Sequence, residues 1–127
     1  MSQLTFILID GVFSLCRLAP EDAIPSWALS SGFYTISKTD DELSVVCESQ
    51  YVPAFIKQDG NWRLLKIAAI LDLFLTGITA KFSTALGNAG VNLCVIATYQ
   101  TDYILVKQEK LQTAITALQD AGFIVQQ

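Results

Sequence analysis

A chain of 127 residues fits one compact domain or two half-size repeats sharing a core, and it buries enough surface to fold without staples. Hydrophobic residues make up 52% of it and charged residues only 16%, which predicts a generous core together with apolar surface covered by a partner. Twelve acidic against eight scattered basic residues give a net charge of −4, which excludes a phosphate-backbone partner because nucleic-acid binding needs concentrated Lys and Arg.

Residues 4–9 and 12–18 read as two extended segments split by the turn signal Asp10-Gly11. Pro20, Pro25 and Ser30-Ser31-Gly32 bracket residues 24–29, which have room for one helical turn. Residues 33–37 and 43–47 are strand-like around Thr39-Asp40-Asp41-Glu42, which predicts a hairpin with a solvated tip. Gln58-Asp59-Gly60-Asn61 is the clearest internal boundary, dividing the chain into repeats over 1–60 and 61–127.

Residues 62–70 form an apolar run broken only by Arg63 and Lys66, as expected of a largely buried strand, and residues 71–75 read as a loop. Thr76 is placed to N-cap a helix in which Ile78, Phe82 and Leu86 recur every fourth residue, and Gly90 supplies its stop. Residues 91–98 and 103–106 are strands around the tip Tyr99-Gln100-Thr101-Asp102. Glu109 opens a second helix with Leu111, Ala114, Ile115, Leu118 and Ala121 on one face; Gly122 closes it before a short strand over 123–125.

The second half therefore runs strand, helix, strand, strand, helix, strand. That is the split βαβ, ferredoxin-like order, an antiparallel sheet with both helices on one face. The first half echoes it, since Gly32 and Gly90 each precede a strand, a polar tip and a second strand. The expected class is α+β, with tandem ferredoxin-like (βαββαβ) repeats of which the N-terminal one is degenerate with short helices.

Several functions are excluded at this level. The longest apolar stretch, residues 64–80, contains Lys66, Asp72, Thr76 and Gly77, whereas a spanning helix needs roughly 20 mostly uncharged residues. The N-terminus carries no basic segment ahead of its apolar run, so a cytoplasmic location without a membrane is expected. Cys16, Cys47 and Cys94 form no CxxC pair, and the chain has no histidine to complete a zinc site. Buried free thiols, no metal and no cofactor are expected. The missing histidine also removes the commonest general base and the Ser-His and Cys-His nucleophile pairs, so no catalytic residue is expected.

Leu75-Thr76-Gly77-Ile78, then Ala85-Leu86, then Ala89-Gly90-Val91-Asn92-Leu93 resemble the signature of ACT domains. Ala97-Thr98-Tyr99-Gln100-Thr101-Asp102-Tyr103-Ile104-Leu105-Val106 is similar to the corresponding hairpin of the cytosolic arginine sensors, and the aspartokinase regulatory domains are further relatives. Trp27-Ala28-Leu29, Gly32-Phe33-Tyr34 and residues 41–46 resemble small bacterial tandem ACT proteins. The resemblance implies a non-catalytic sensor module whose ligand, a free amino acid, sits where the loop before the first helix faces the hairpin tip of an adjoining repeat. The residues it points to are Asp72, Thr76, Gly77, Ile78, Thr98, Tyr99 and Asp102.

The local chemistry fits that expectation. A free amino acid carries one carboxylate and one ammonium. Helix N-terminal amides near Thr76, Gly77 and Ile78 suit the first, and Asp102 suits the second through a charge-assisted hydrogen bond. Structural roles compete: Asp102 shaping the hairpin, Gly77 serving helix–sheet packing, Asp72 capping its turn. The competing function is a structural or protein-interaction module with a vestigial pocket. Open sheet edges and the apolar composition predict a homodimer.

Overall fold

The computed structural model describes residues 4–68 and 77–127, which carry seven strands and two α-helices. In chain order these are β1 (Thr5–Leu18), β2 (Thr35–Lys38), β3 (Leu43–Glu48), β4 (Lys57–Ile67), α1 (Ile78–Asn88), β5 (Leu93–Ala97), β6 (Asp102–Lys107), α2 (Leu111–Asp120) and β7 (Ile124–Gln126). The chain divides into two compact units. The larger joins residues up to Asp10 with Arg63–Gln127, and the smaller is Gly11–Trp62.

Two turn signals in the sequence turn out to lie inside strands. Asp10-Gly11 does not separate two segments, because β1 is one strand of 14 residues. Gly11 has φ +109°, a backbone state closed to ordinary side chains, so the glycine lets the strand pass through an irregularity without ending. Gln58-Asp59-Gly60-Asn61 likewise lies within β4, with Asn61 at φ 63°. The unit boundary falls between Asp10 and Gly11 in the first case and between Trp62 and Arg63, just past the signal, in the second. These residues mark where a strand passes from one unit to the next rather than where it stops.

In the larger unit β4 lies between β1 and β6, and β5 pairs with β6. The β5–β6 register runs antiparallel from Leu93↔Val106 to Ala97↔Asp102. The expected order strand, helix, strand, strand, helix, strand is present as β4-α1-β5-β6-α2-β7. The last strand departs from the expected antiparallel pairing. β7 runs parallel to β1, from Thr5↔Ile124 to Ile7↔Gln126, so the first part of β1, as far as Asp10, belongs to this unit.

The reason is in the core. Phe6 of β1 is fully buried, with its ring edge-to-face against Phe82 of α1 (5.7 Å, 89°) and against Phe123 before β7 (5.3 Å, 75°). Such T-shaped contacts set the positive edge of one ring on the negative face of another. Leu65 and Ile67 of β4, Leu86 of α1, Ile104 and Val106 of β6, and Ala114 and Leu118 of α2 complete the cluster. Both helices use the apolar positions that their spacing predicts.

In the smaller unit β2 and β3 form the expected hairpin, and β3 runs antiparallel to β1 from Phe13↔Glu48 to Leu18↔Leu43. Its described residues include two short 3-10 segments, Ser26–Ser30 and Ser49–Tyr51. Cys16, Ala28, Val45 and Cys47 form its buried centre, with Trp27, Ile36 and Ile56 packed around them. Burial pushes both thiols up, Cys47 to about 11. Cys94, expected to be buried, is only half-buried, because β5 ends the pairing order.

The segment before β2 is tied to the end of β3. Glu48 Oε2 accepts from the Gly32 amide at 3.0 Å and lies 3.0 Å from Ser31 Oγ, while Oε1 accepts from Gln50 Nε2 at 3.2 Å. The Gly32 amide chiefly holds the Glu48 carboxyl below its ordinary value.

Two outcomes follow from this packing. Phe6→Ala should cost about 3–5 kcal/mol in urea unfolding, the scale for removing a buried aromatic ring; a loss under about 1 kcal/mol would contradict the role given to this strand. Glu48, with its folded value lowered, contributes stability that is complete above its unfolded value of 4.5 and is lost as pH falls through the folded value. Glu48→Gln should therefore lower the melting temperature at pH 7 and flatten its fall on the acid side; an unchanged acid limb would refute the assignment.

Candidate functional site

Among the described residues no side chain caps the start of helix α1. Its N-cap position is Gly77, at φ 89° and ψ −13°. The Gly77 carbonyl accepts the first helical bond, from Lys81 N at 2.9 Å. The first-turn amides of any α-helix have no acceptor within the helix, so such an end carries N–H donors and the positive pole of the helix dipole. A Cβ on Gly77 would meet nothing within 4 Å, but its positive φ alone requires glycine.

The β5–β6 turn is held by threonines. Thr98 N and Thr98 Oγ1 both donate to the Thr101 carbonyl at 2.9 Å, and Thr101 N donates back to Thr98 Oγ1 at 3.3 Å. Tyr99, at the tip, is 84% exposed, whereas Thr101 is only 6% exposed. Thr101 Oγ1 donates to the carbonyl of Ile67, the last residue of β4, at 2.8 Å. Asp102 opens β6, and its Oδ2 accepts from Thr79 Oγ1 in the first turn of α1 at 3.2 Å.

The start of α1 and the base of the hairpin therefore meet. The resemblance implies a tip contributed by an adjoining repeat; the Thr79–Asp102 bond instead joins two elements of one unit. Of the residues named from sequence, Gly77 and Ile78 lie at the helix end and Asp102 beside it. The Ile78 side chain packs against the larger unit's core, which leaves its amide for the site. Thr98 spends its hydroxyl on the turn, and Tyr99 presents its ring to solvent. Asp72 and Thr76 lie outside the described residues.

Thr79 and Thr101 escape the sequence reading. Thr79 has a weak signal, its place two residues after the glycine. Thr101 has none, because burial of one threonine in a polar tip depends on the neighbouring strand. Two open grooves lie elsewhere. One of about 330 Å³ borders α2 at Gln112, Thr116 and Asp120, and one of about 350 Å³ in the smaller unit is lined by Arg17, Glu42, Lys57 and Asp59. Among the described residues no group of three His, Cys, Asp or Glu side chains is arranged to hold a metal, and no helix is long and apolar enough to cross a membrane.

Comparison with known proteins places this arrangement. A model of the ACT domain matches residues 58–120, and a model of an N-terminal domain matches residues 11–54. A crystal structure of a protein from Agobacterium tumefaciens shares 30% identity over 98% of this chain and 93% of its own, with a TM-score of 0.92. A protein of unknown function from Vibrio cholerae, described as a possible transport protein, shares 26% identity over 94% of this chain and 90% of its own, with a TM-score of 0.77. The ligand-free regulatory subunit of aspartate kinase from Thermus thermophilus has the same fold at 10% identity, covering 87% of this chain and 91% of its own with a TM-score of 0.61. No curated protein matches the chain. The ACT match spans both the helix start and the β5–β6 hairpin: residues 58–120 of the chain are an ACT domain.

Proposed function

We propose that this protein is a non-catalytic regulatory module that binds a free amino acid at the start of α1. The observation that carries the reading is the 3.2 Å contact between Asp102 and Thr79, which sets a carboxylate beside the first turn of α1. The two charges of an amino acid lie close together, so its site needs N–H donors and an acidic acceptor within the same few ångströms. The first-turn amides of Ile78 and Thr79 take the carboxylate, and Asp102 takes the ammonium. Asp72 and Thr76, from the segment before α1, and Thr98 and Tyr99, from the hairpin, complete the proposed site.

Regulation follows from differential affinity: the ligand biases whichever arrangement of the module, or of a partner, holds these two elements in register. Likeness to an aspartate kinase regulatory subunit supports a regulatory role. In this reading Gly11–Trp62 is a degenerate ACT-like repeat, and the ferredoxin-like arrangement is complete only in the larger unit. Three free cysteines are in keeping with a reducing, cytoplasmic setting. The proposed homodimer is supported by β5, the last strand in the pairing order, which leaves Val95 41% exposed.

One observation favours the competing reading, a protein-interaction module with a vestigial pocket. Leu29, Tyr34 and Phe55 of the smaller unit are exposed, Phe55 at 86%. Titration separates the two. Each of the twenty amino acids is tested for thermal stabilisation, since a ligand that binds only the native state raises its melting temperature. At least one should do so, and Asp102→Asn should weaken it by about 1.5–3 kcal/mol, the scale of a hydrogen bond to a charged group, with the ligand-free melting temperature nearly unchanged. Equal affinity in Asp102→Asn would sink the ammonium contact, and stabilisation by none of the twenty would sink amino-acid binding. Sedimentation at tens of micromolar should give a dimer; a monomer would contradict the proposed assembly.

A further inference from the structure

We infer that Thr101 is a positioning residue for this site, its buried hydroxyl fixing the hairpin so that Asp102 stays opposite the start of α1. The inference rests on the amino-acid-binding reading above. Thr101 is 6% exposed in a turn whose other residues, Thr98 to Gln100, are exposed. A buried hydroxyl must find a partner, and this one donates to the Ile67 carbonyl at 2.8 Å, outside its own hairpin. The main chain of Thr101 serves the turn at the same time, since its carbonyl accepts from Thr98 N and its amide donates to Thr98 Oγ1. One residue thus joins the turn to the end of β4.

The residue that follows is Asp102. Its last ladder partner is Ala97, and beyond that pair the β5–β6 ladder no longer constrains the chain. Besides the backbone bond from Thr98 N to the Thr101 carbonyl, two side-chain bonds then bear on where the carboxylate sits. The Thr79–Asp102 bond is exposed and long at 3.2 Å, so water competes for both partners. The Thr101–Ile67 bond is buried and short at 2.8 Å, so water does not compete for it in the same way. The second is the firmer restraint. It sets the position of Asp102 without touching a ligand.

Thr101→Val keeps the β-branched shape and removes only the hydroxyl; Thr101→Ser keeps the hydroxyl and removes a methyl group. The probe is whichever of the twenty amino acids stabilises the wild-type protein most. Its affinity should fall roughly tenfold in Thr101→Val, the scale of one hydrogen bond, and stay within about twofold of wild type in Thr101→Ser. Amide exchange at Thr98 and Thr101 should quicken in Thr101→Val, while that of β2 and β3 stays unchanged.

A double-mutant cycle separates positioning from general loss of structure. If Thr101 acts through Asp102, Thr101→Val combined with Asp102→Asn binds no more weakly than Asp102→Asn alone. Wild-type affinity in Thr101→Val, or full additivity in the double variant, would overturn the inference and leave the ligand site standing. Failure of every amino acid to stabilise the wild type would remove the binding reading, and the inference with it.

Discussion

The ring of Phe6, buried between Phe82 and Phe123, is the interaction on which the larger unit depends. It gathers three segments that are far apart in the chain: the N-terminal strand, the first helix and the run into the last strand. β7 runs beside β1, so the C-terminal end takes its place against the N-terminal strand. Burying an aromatic ring in such a cluster is worth about 1.5–3 kcal/mol from its area alone. The orientation of α1 follows from the same cluster, since Phe82 is its anchor. The position of Gly77 and Thr79 at the head of that helix is therefore a consequence of a residue in the first strand.

That dependence explains which features could be read from the sequence. The spacing of Phe82 and Leu86, and of Ala114 and Leu118, reports helix faces directly, because the period of a helix is local. The hairpin at Thr98 to Asp102 and the glycine before α1 were equally legible, since turn chemistry and positive φ are local demands. The pairing of residues 5–7 with β7 was not. An alternating apolar strand shows that one face is buried, but not against which neighbour. Asp10-Gly11 misled for a related reason: long-range pairing overrode its local turn preference and kept β1 continuous, and Gln58-Asp59-Gly60-Asn61 likewise lies within β4, next to where the two units meet.

The site divides along the same line. Asp102 and Gly77 could be named from residue type and resemblance, whereas Thr79 and Thr101 owe their roles to tertiary contacts. The arrangement also gives the proposed ligand a physical means of action. An ammonium group competes with the Thr79 hydroxyl for Asp102, and a charged donor forms the stronger bond. Binding then exchanges a link between hairpin and helix for one that runs through the ligand. The exposed Thr79–Asp102 bond is cheap to give up, whereas the buried Thr101–Ile67 bond is kept. A module built this way holds its acceptor in place while leaving it free to change partners.

The most direct measurement is a titration of the isotope-labelled protein with the most stabilising amino acid, followed at backbone amides. The account predicts that the largest shifts fall on Ile78 and Thr79 at the head of α1 and on Thr98 to Asp102 in the hairpin. Amides of β2 and β3 should be nearly still at the same ligand concentration. Shifts concentrated in the smaller unit, with Thr79 and Asp102 unmoved, would contradict it.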